Sequence, residues 1–119
     1  LNDETRATLA QRLWTAESDV APIAPLTADY PEMDPDDAFE IQLVNIRRKL
    51  DAGAVVTGHK VGLASKAMQE MMGVDEPDYG HLLADMEVFE HTPVAAGRFL
   101  YPRVEVEVDT AEMAAVEVH

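Results

Sequence analysis

The stretch Asp34-Pro35-Asp36-Asp37-Ala38-Phe39-Glu40-Ile41-Gln42-Leu43-Val44-Asn45-Ile46-Arg47-Arg48-Lys49-Leu50-Asp51-Ala52-Gly53 decides the fold, because it carries every local signal of an α-helix. An aspartate followed by proline is a favourable helix start, since the carboxylate accepts from free N–H groups and proline already has the right φ. Apolar residues then recur at helical spacing, at Phe39, Leu43, Ile46 and Leu50. Basic residues suit the negative end of the helix, and Gly53 suits the left-handed residue that ends it.

A second helix is predicted upstream, from Asp3 to about Ser18, where Leu9, Leu13 and Trp14 recur at helical spacing. Asp3 or Thr5 is expected to cap its start. Between the two helices, three prolines in Val20 to Met33 remove backbone donors, which predicts a loop.

Downstream, the composition changes to strand and turn signals. Ala54 to Gly62 is β-branched and then glycine-punctuated, which predicts a buried strand, and a short helix capped by Ser65 is expected to stop near Gly73. Asp75 to His81 is turn-rich, and two further strands are predicted, around Met86–Phe89 and Phe99–Val108. Helices first and strands last predict an α+β fold.

The charge balance narrows the function. The 119 residues include 23 acidic and 9 basic side chains, a net charge of −14, which argues against nucleic acid and anionic membranes as partners. A metal cation or a small anion bound through a metal ion is a more suitable ligand for so acidic a chain. The absence of cysteine excludes disulfides, thiolate nucleophiles and cysteine-ligated metal centres. No apolar run reaches the roughly 18 residues of a membrane helix, and the start lacks signal-peptide character, so we expect a soluble, cytoplasmic protein.

Two carboxylates stand out near the end of the chain, in Tyr101-Pro102-Arg103-Val104-Glu105-Val106-Glu107-Val108. On a strand, Glu105 and Glu107 point to one side and the valines to the other. Carboxylates at this spacing suit a hard divalent cation, but the motif alone favours a solvated strand face, because alternating charge on a strand is usually a solvated face.

Two upstream residues are candidates for acid–base or binding chemistry. Lys60 lies between glycines in Gly58-His59-Lys60-Val61-Gly62, where a buried ammonium needs a carboxylate or a substrate, although a strand-end lysine that reaches solvent is an open alternative. Asp78 lies in a predicted loop, as a general base or as a turn-forming aspartate. The four histidines show no ligand spacing that marks a zinc site.

Five motifs together resemble the 2-keto-4-pentenoate hydratase branch of the fumarylacetoacetate hydrolase superfamily, in particular the 2-hydroxypenta-2,4-dienoate hydratases of meta-cleavage pathways and their steroid-ring branch. The resemblance runs from about Leu9 to Val108 in the family's order. The motifs are Asp37-Ala38-Phe39-Glu40-Ile41-Gln42, Gly58-His59-Lys60-Val61-Gly62-Leu63-Ala64-Ser65, Ala67-Met68-Gln69, Pro77-Asp78-Tyr79-Gly80-His81-Leu82 and Pro102-Arg103-Val104-Glu105-Val106-Glu107.

The resemblance implies roles for these residues. Glu105 and Glu107 are expected to bind Mg²⁺ or Mn²⁺, Lys60 to bind substrate or transfer protons, Asp78 to act as acid or base, and Ser65 to contact the substrate carboxylate. The implied reaction is metal-dependent hydration of 2-hydroxypenta-2,4-dienoate to 4-hydroxy-2-oxopentanoate. The related 4-oxalocrotonate decarboxylases share these motifs, so decarboxylation is the alternative within the family.

The resemblance also implies an organisation. Residues 1–85 correspond to an N-terminal helical and small α/β portion, residues 86–108 to the start of a mixed β-roll that is truncated here, and residues 109–119 to an atypical tail. The family's third acidic metal ligand lies further along, and no motif supports Glu112 or Glu117 in its place. We therefore expect weak metal binding and little turnover from these 119 residues alone. A homo-oligomer is expected, with a downstream aldolase as a further partner; a non-catalytic paralogue that acts in assembly is the alternative outside catalysis.

Overall fold

The fold is α+β, as predicted from the order of the elements. The structure, a computed structural model, describes the backbone of residues 1–108 and 114–118 and the side chains of residues 1–106. In chain order the helices and strands are α1 (Asp3–Ser18), α2 (Pro35–Asp51), β1 (Val56–Gly62), α3 (Lys66–Met72), β2 (Asp78–Leu83), β3 (Val104–Val108) and β4 (Ala114–Val118).

The core lies between α1 and α2. Leu9 and Ala10 of α1 pack with Leu26 and with Ile41 of α2, and all four are buried. The small side chain of Ala10 lets the helices approach, and the Asn45 amide donates to its carbonyl oxygen at 2.9 Å. Burial of these side chains is the main source of stability in this half of the chain.

The predicted apolar stripe of α2 is only partly the buried one. Ile46 is buried, but Phe39 and Leu50 are 39% and 38% exposed, and the side that packs on α1 is centred on Ile41 instead. The sequence shows that apolar residues recur with the period of a helix. Which face of α2 becomes buried depends on where α1 packs against it. The ring of Phe39 instead lies 6.5 Å from that of His81, beside the β1–β2 pair.

The helix ends follow the sequence closely, with one correction. The side chain of Asp34 accepts from the backbone N–H of Asp37 at 2.8 Å, and the side chain of Asp37 accepts from that of Asp34 at 3.2 Å. This reciprocal pair is a capping box at the predicted start of α2. Gly53 has the expected positive φ of 102° just beyond its end. The cap of α1, however, is Asn2, which accepts from the N–H of Thr5 at 2.8 Å, and neither Asp3 nor Thr5.

Strands β1 and β2 form an antiparallel pair that carries two of the five candidate residues, Lys60 and Asp78. The register pairs Gly62 with Asp78, Lys60 with Gly80 and His59 with His81. The turn prediction for Asp75–His81 was therefore wrong from Asp78 onward, because β1 supplies the pairing that local turn propensity does not reveal.

The later strands are shorter than predicted. Ala84–Met86 is a 3₁₀ turn and no strand follows it up to Phe89, so the strand prediction there was wrong; of Phe99–Val108, only Val104–Val108 is a strand. Strand β3 pairs antiparallel with β4. Val104 and Val106 are 69% and 72% exposed. In the part of the chain that the structure describes, no helix has the length and apolar character needed to cross a bilayer.

A buried carboxylate ties the chain's start to α2. Asp37 is 2% exposed, and its Oδ1 accepts from Nη2 and Nε of Arg6, at 2.8 and 3.0 Å, and from the Leu1 ammonium at 3.1 Å. The hydrogen bond from Arg6, followed by those from the Asp34 backbone and the Leu1 ammonium, lowers the pKa of Asp37 from 3.8 to about 2 against the opposing effect of burial.

Acid should therefore weaken this half of the fold. A carboxyl whose pKa is depressed on folding stabilises the native state above its unfolded pKa, and that contribution is lost as pH falls from 3.8 toward about 2. We expect Asp37→Asn to lower the midpoint of thermal unfolding at neutral pH and to flatten its decline at acid pH, as measured by circular dichroism.

The exposed neighbour Asp36 supplies the control. Asp36→Asn removes one charge from the same helix turn and should keep the wild-type acid profile. Equal profiles for the Asp36→Asn and Asp37→Asn variants would contradict the role given to Asp37. Coupling between Asp37→Asn and Arg6→Gln in a double-mutant cycle would assign the effect to this pair.

Candidate functional site

Lys60 lies on a face of the β1–β2 pair where its nearest neighbours in the sheet are glycines. Gly58 and Gly62 flank it two residues away on β1, and Gly80 is directly opposite on β2, so all three share its face. None of these glycines has a positive φ, so the backbone conformation does not require glycine there. A Cβ added to Gly80 would meet no atom within 4 Å. Glycine at position 80 therefore leaves open space opposite the lysine, whereas a Cβ at Gly58 or Gly62 would contact Leu82 or Asp78 at 3.8 and 3.7 Å.

The surroundings of Lys60 differ from the sequence prediction. Strand β1 alternates half-buried and exposed residues, so it is not a buried strand, and Lys60 is half-buried. Lys60 lines a cavity of about 670 Å³. The lining also includes the cation of Arg98, the acid Glu17, and apolar residues, among them Leu82, Met86, Val88, Phe99 and Leu100. A cation beside an apolar wall suits a small organic anion.

Asp78 shares the face of Lys60 but opens onto a different cavity. As the first residue of β2 it pairs with Gly62, which makes it a diagonal neighbour of Lys60 on that face. It is exposed and lines a smaller cavity of about 400 Å³ together with Phe39, Gln42 and Tyr79. The structure thus brings the two predicted acid–base candidates to one face without placing both in one cavity lining.

Ser65 has a structural task that the sequence also predicted. Its hydroxyl accepts from the Met68 N–H at 3.2 Å and so caps α3, which ends at Gly73 with a φ of 72°. Just before it, Leu63 has a φ of 53°, an uncommon conformation for a residue with a branched side chain. The Gln69 amide holds this turn by donating to the Leu63 carbonyl oxygen at 2.9 Å.

Sequence reasoning missed the importance of Gln69. It is 6% exposed, and among the residues that the structure describes its Oε1 has no hydrogen-bond partner. Its place in the motif Ala67-Met68-Gln69 was the signal that pointed to it. Gln42 was missed in the same way: its Nε2 donates to the Tyr79 carbonyl at 3.3 Å, and its Oε1 lies 3.2 Å from Nδ1 of His81.

Glu105 and Glu107 occupy alternate positions of β3. Glu105 is exposed, and the backbone register pairs it with Glu117 and pairs Glu107 with Ala115. The Glu107 side chain and the whole of Glu112 lie outside the described residues. The lining of the cavity that Lys60 shares includes Tyr101, three residues before β3 begins, and, among the residues whose side chains are described, none of β3 itself.

The donor chemistry of this strand fits a hard cation, because carboxylate oxygens are the ligands that Mg²⁺ and Mn²⁺ prefer. Over residues 1–106, where side chains are described, no three or more histidine, aspartate or glutamate side chains are grouped to hold a metal ion. A third ligand is thus not identified among them.

Known proteins with a similar sequence are hydratases. The chain is 42% identical over 104 residues to a 2-oxo-hept-4-ene-1,7-dioate hydratase of Escherichia coli, covering 87% of this chain and 39% of that protein. It is 46% identical over 99 residues to 2-keto-4-pentenoate hydratase 2 of Dechloromonas aromatica, covering 83% of this chain and 38% of that protein. No protein-family model matches the chain.

A solved structure has the same fold over the matched part. The 4-oxalocrotonate decarboxylase from Pseudomonas putida G7, complexed with calcium and acetate, superposes with a TM-score of 0.84 at 36% identity, covering 90% of this chain and 41% of that one. The chain spans about two-fifths of the length of these proteins, and the match is to their N-terminal part. By sequence and by fold, the chain belongs to the 2-keto-4-pentenoate hydratase branch of the fumarylacetoacetate hydrolase superfamily.

Proposed function

We propose that this protein is a metal-dependent hydro-lyase that converts 2-hydroxypenta-2,4-dienoate to 4-hydroxy-2-oxopentanoate in the catabolism of aromatic or steroid rings. The observation that carries the proposal is the open space at Gly80, directly opposite Lys60, where neither packing nor backbone conformation requires glycine. The hydratase names of several relatives support the reaction class.

Lys60 is proposed to bind the substrate. Its ammonium holds the carboxylate of the dienoate, while the apolar wall of the cavity faces the hydrocarbon end. Binding in this orientation fixes the chain of carbon atoms relative to the face that Lys60 shares with Asp78.

Asp78 is proposed to move protons. Ketonisation transfers the enol proton from the 2-oxygen and adds a proton at C5, which leaves a C3=C4 double bond conjugated to the new 2-oxo group. The oxygen of a water then bonds to C4, the Asp78 carboxylate takes one of its protons, and C3 receives a proton, so the net change is addition of one water.

Glu105 and Glu107 are the proposed ligands of Mg²⁺ or Mn²⁺. When bound, the ion supplies positive charge next to the 2-oxygen, where negative charge develops. Their alternate positions on β3 support this assignment, because side chains two residues apart on a strand point the same way and carboxylate oxygens suit a hard cation.

A chimera tests the assignment on a complete catalytic frame. The chain would replace the matched segment of the Dechloromonas aromatica enzyme, and hydration of the dienol would be followed with and without Mg²⁺. We expect Mg²⁺-dependent turnover in the chimera, little in the 119 residues alone, and loss of turnover in the Glu105→Gln chimera.

The exposed Glu87 gives a matched control, because Glu87→Gln removes the same charge away from β3. Full Mg²⁺-dependent activity in a Glu105→Gln chimera that is as folded and oligomeric as its parent would refute the ligand role. A folded but inactive parent chimera would refute the catalytic role of this segment.

The open space at Gly80 gives a second test of the proposed function. Gly80→Ala should leave folding unchanged, because its Cβ meets open space and φ is not positive, yet fill the site opposite Lys60. We expect it to lower kcat/KM of the chimera by about a hundredfold, as misplacement of a bound substrate does. Gly97→Ala, also into open space, is the control. Equal activity of the two variants would show that the space is not used.

The two roles of Ser65 are separable. Ser65→Ala should destabilise α3 by about 1 kcal/mol, visible as faster amide exchange, because the cap is lost. Ser65→Asp keeps a capping oxygen but brings a negative charge. If Ser65 contacts the substrate carboxylate, the aspartate variant has normal exchange and a raised KM; an unchanged KM would leave capping as its role.

Decarboxylation of 4-oxalocrotonate is the second candidate, favoured by the fold match to that decarboxylase. Assay of both substrates with the chimera, following CO₂ release and hydration separately, distinguishes the two reactions. Assembly is tested separately. A homo-oligomer, an association with a downstream aldolase, or a non-catalytic role in assembly would each give stable complexes in size-exclusion chromatography. We expect Glu105→Gln not to affect these complexes.

A further inference from the structure

Two histidines are paired across strands β1 and β2. His59 of β1 and His81 of β2 are directly paired, their ring centroids are 5.0 Å apart and the rings are inclined by 59°. Side chains alternate along each strand, so the histidine side chains and that of Lys60 have opposite directions. His81 nevertheless also contributes to the lining of the Lys60 cavity. The proposed hydration reaction does not involve either histidine.

The hydrogen-bond network assigns the tautomer of His81. The amide nitrogen of Gln42 donates to the Tyr79 carbonyl oxygen at 3.3 Å, so the amide oxygen is the atom that faces His81 Nδ1, at 3.2 Å. An amide oxygen only accepts, so Nδ1 carries the hydrogen and Nε2 of the neutral ring keeps its lone pair. Histidines that bind metals are held in this way, with one ring nitrogen donating to an oxygen and the other coordinating.

The spacing of the rings also suits an ion between them. With metal–nitrogen bonds of about 2.1 Å and a tetrahedral angle, the centroids of two ligating imidazole rings stand about 5 Å apart. The observed 5.0 Å is close to this value. The spacing and the inclination of 59° are also within the range of two aromatic rings in contact, so the geometry is compatible with an ion and does not require one.

We propose that His59 and His81 form a second cation site, for Zn²⁺ or Cu²⁺, in which Gln42 is a positioning residue. Imidazole nitrogen prefers these ions, whereas Mg²⁺ prefers carboxylate oxygen, so this site and β3 select different metals. Within residues 1–106 no third histidine or carboxylate joins the pair, so water completes the coordination and affinity is modest. A bound ion links β1 to β2 and stabilises the pair of strands that carries Lys60.

Zinc titration of the untagged chain tests the site without any assay of activity. We expect isothermal titration calorimetry to detect one Zn²⁺ whose affinity falls at least about tenfold in His59→Ala and in His81→Ala, and a thermal midpoint that rises with Zn²⁺ only in the parent. A large excess of Mg²⁺ should leave Zn²⁺ binding unchanged.

Matched variants separate this site from incidental binding. His91→Ala removes an exposed histidine outside strands β1 and β2 and should leave the affinity for Zn²⁺ unchanged. Gln42→Leu should weaken Zn²⁺ binding about tenfold, and Gln42→Glu, which keeps an oxygen for Nδ1–H, should restore it.

Two results would overturn the proposal: wild-type affinity in a folded His59→Ala or His81→Ala chain, or equal loss in His91→Ala. The proposed hydratase function is tested separately, by the Glu105→Gln and Gly80→Ala chimeras, so its failure is distinguishable from failure of the histidine site.

Discussion

The antiparallel register of β1 and β2 is the constraint on which the candidate site depends. It places Gly80 opposite Lys60, Asp78 diagonal to Lys60, and His59 opposite His81. Because side chains alternate along a strand, a slip of one residue would exchange the two faces and put histidine where the lysine now is. Helix α2 helps to hold this register, since Gln42 bonds both the Tyr79 carbonyl and the His81 ring.

Local signals in the sequence predicted the helices well and the strands poorly. Asp34, Gly53, Ser65 and Gly73 each fixed a helix end as expected, because capping is decided by a few neighbouring residues. Strand β2 was mistaken for a turn, because Pro77, Asp78 and Gly80 have turn propensity and only pairing with a distant segment makes a strand of them.

The candidate site likewise has residues that could be identified from the sequence and contacts that could not. Lys60, Asp78, Ser65, Glu105 and Glu107 were identified from the chain and from its resemblance to a family, and their roles stay predictions. The contact between the two histidines and the hydrogen bonds of Gln42 could not be predicted from the sequence, because they join residues far apart in the chain. The place of Gln42 in a family motif was the one signal that pointed to it. The glycines were visible in the sequence, but their meaning appeared only when Gly80 was found opposite Lys60 with open space beside it.

The exposed valines of β3 have a consequence for how these molecules behave in solution. A strand that presents Val104 and Val106 to water is the kind of surface on which proteins associate. The net charge of −14 opposes such association, because molecules of like charge repel one another at low ionic strength. Salt at physiological concentration shortens the range of this repulsion to about 8 Å. Colloidal stability of the chain is therefore electrostatic, and it is a function of the ionic strength of the solvent.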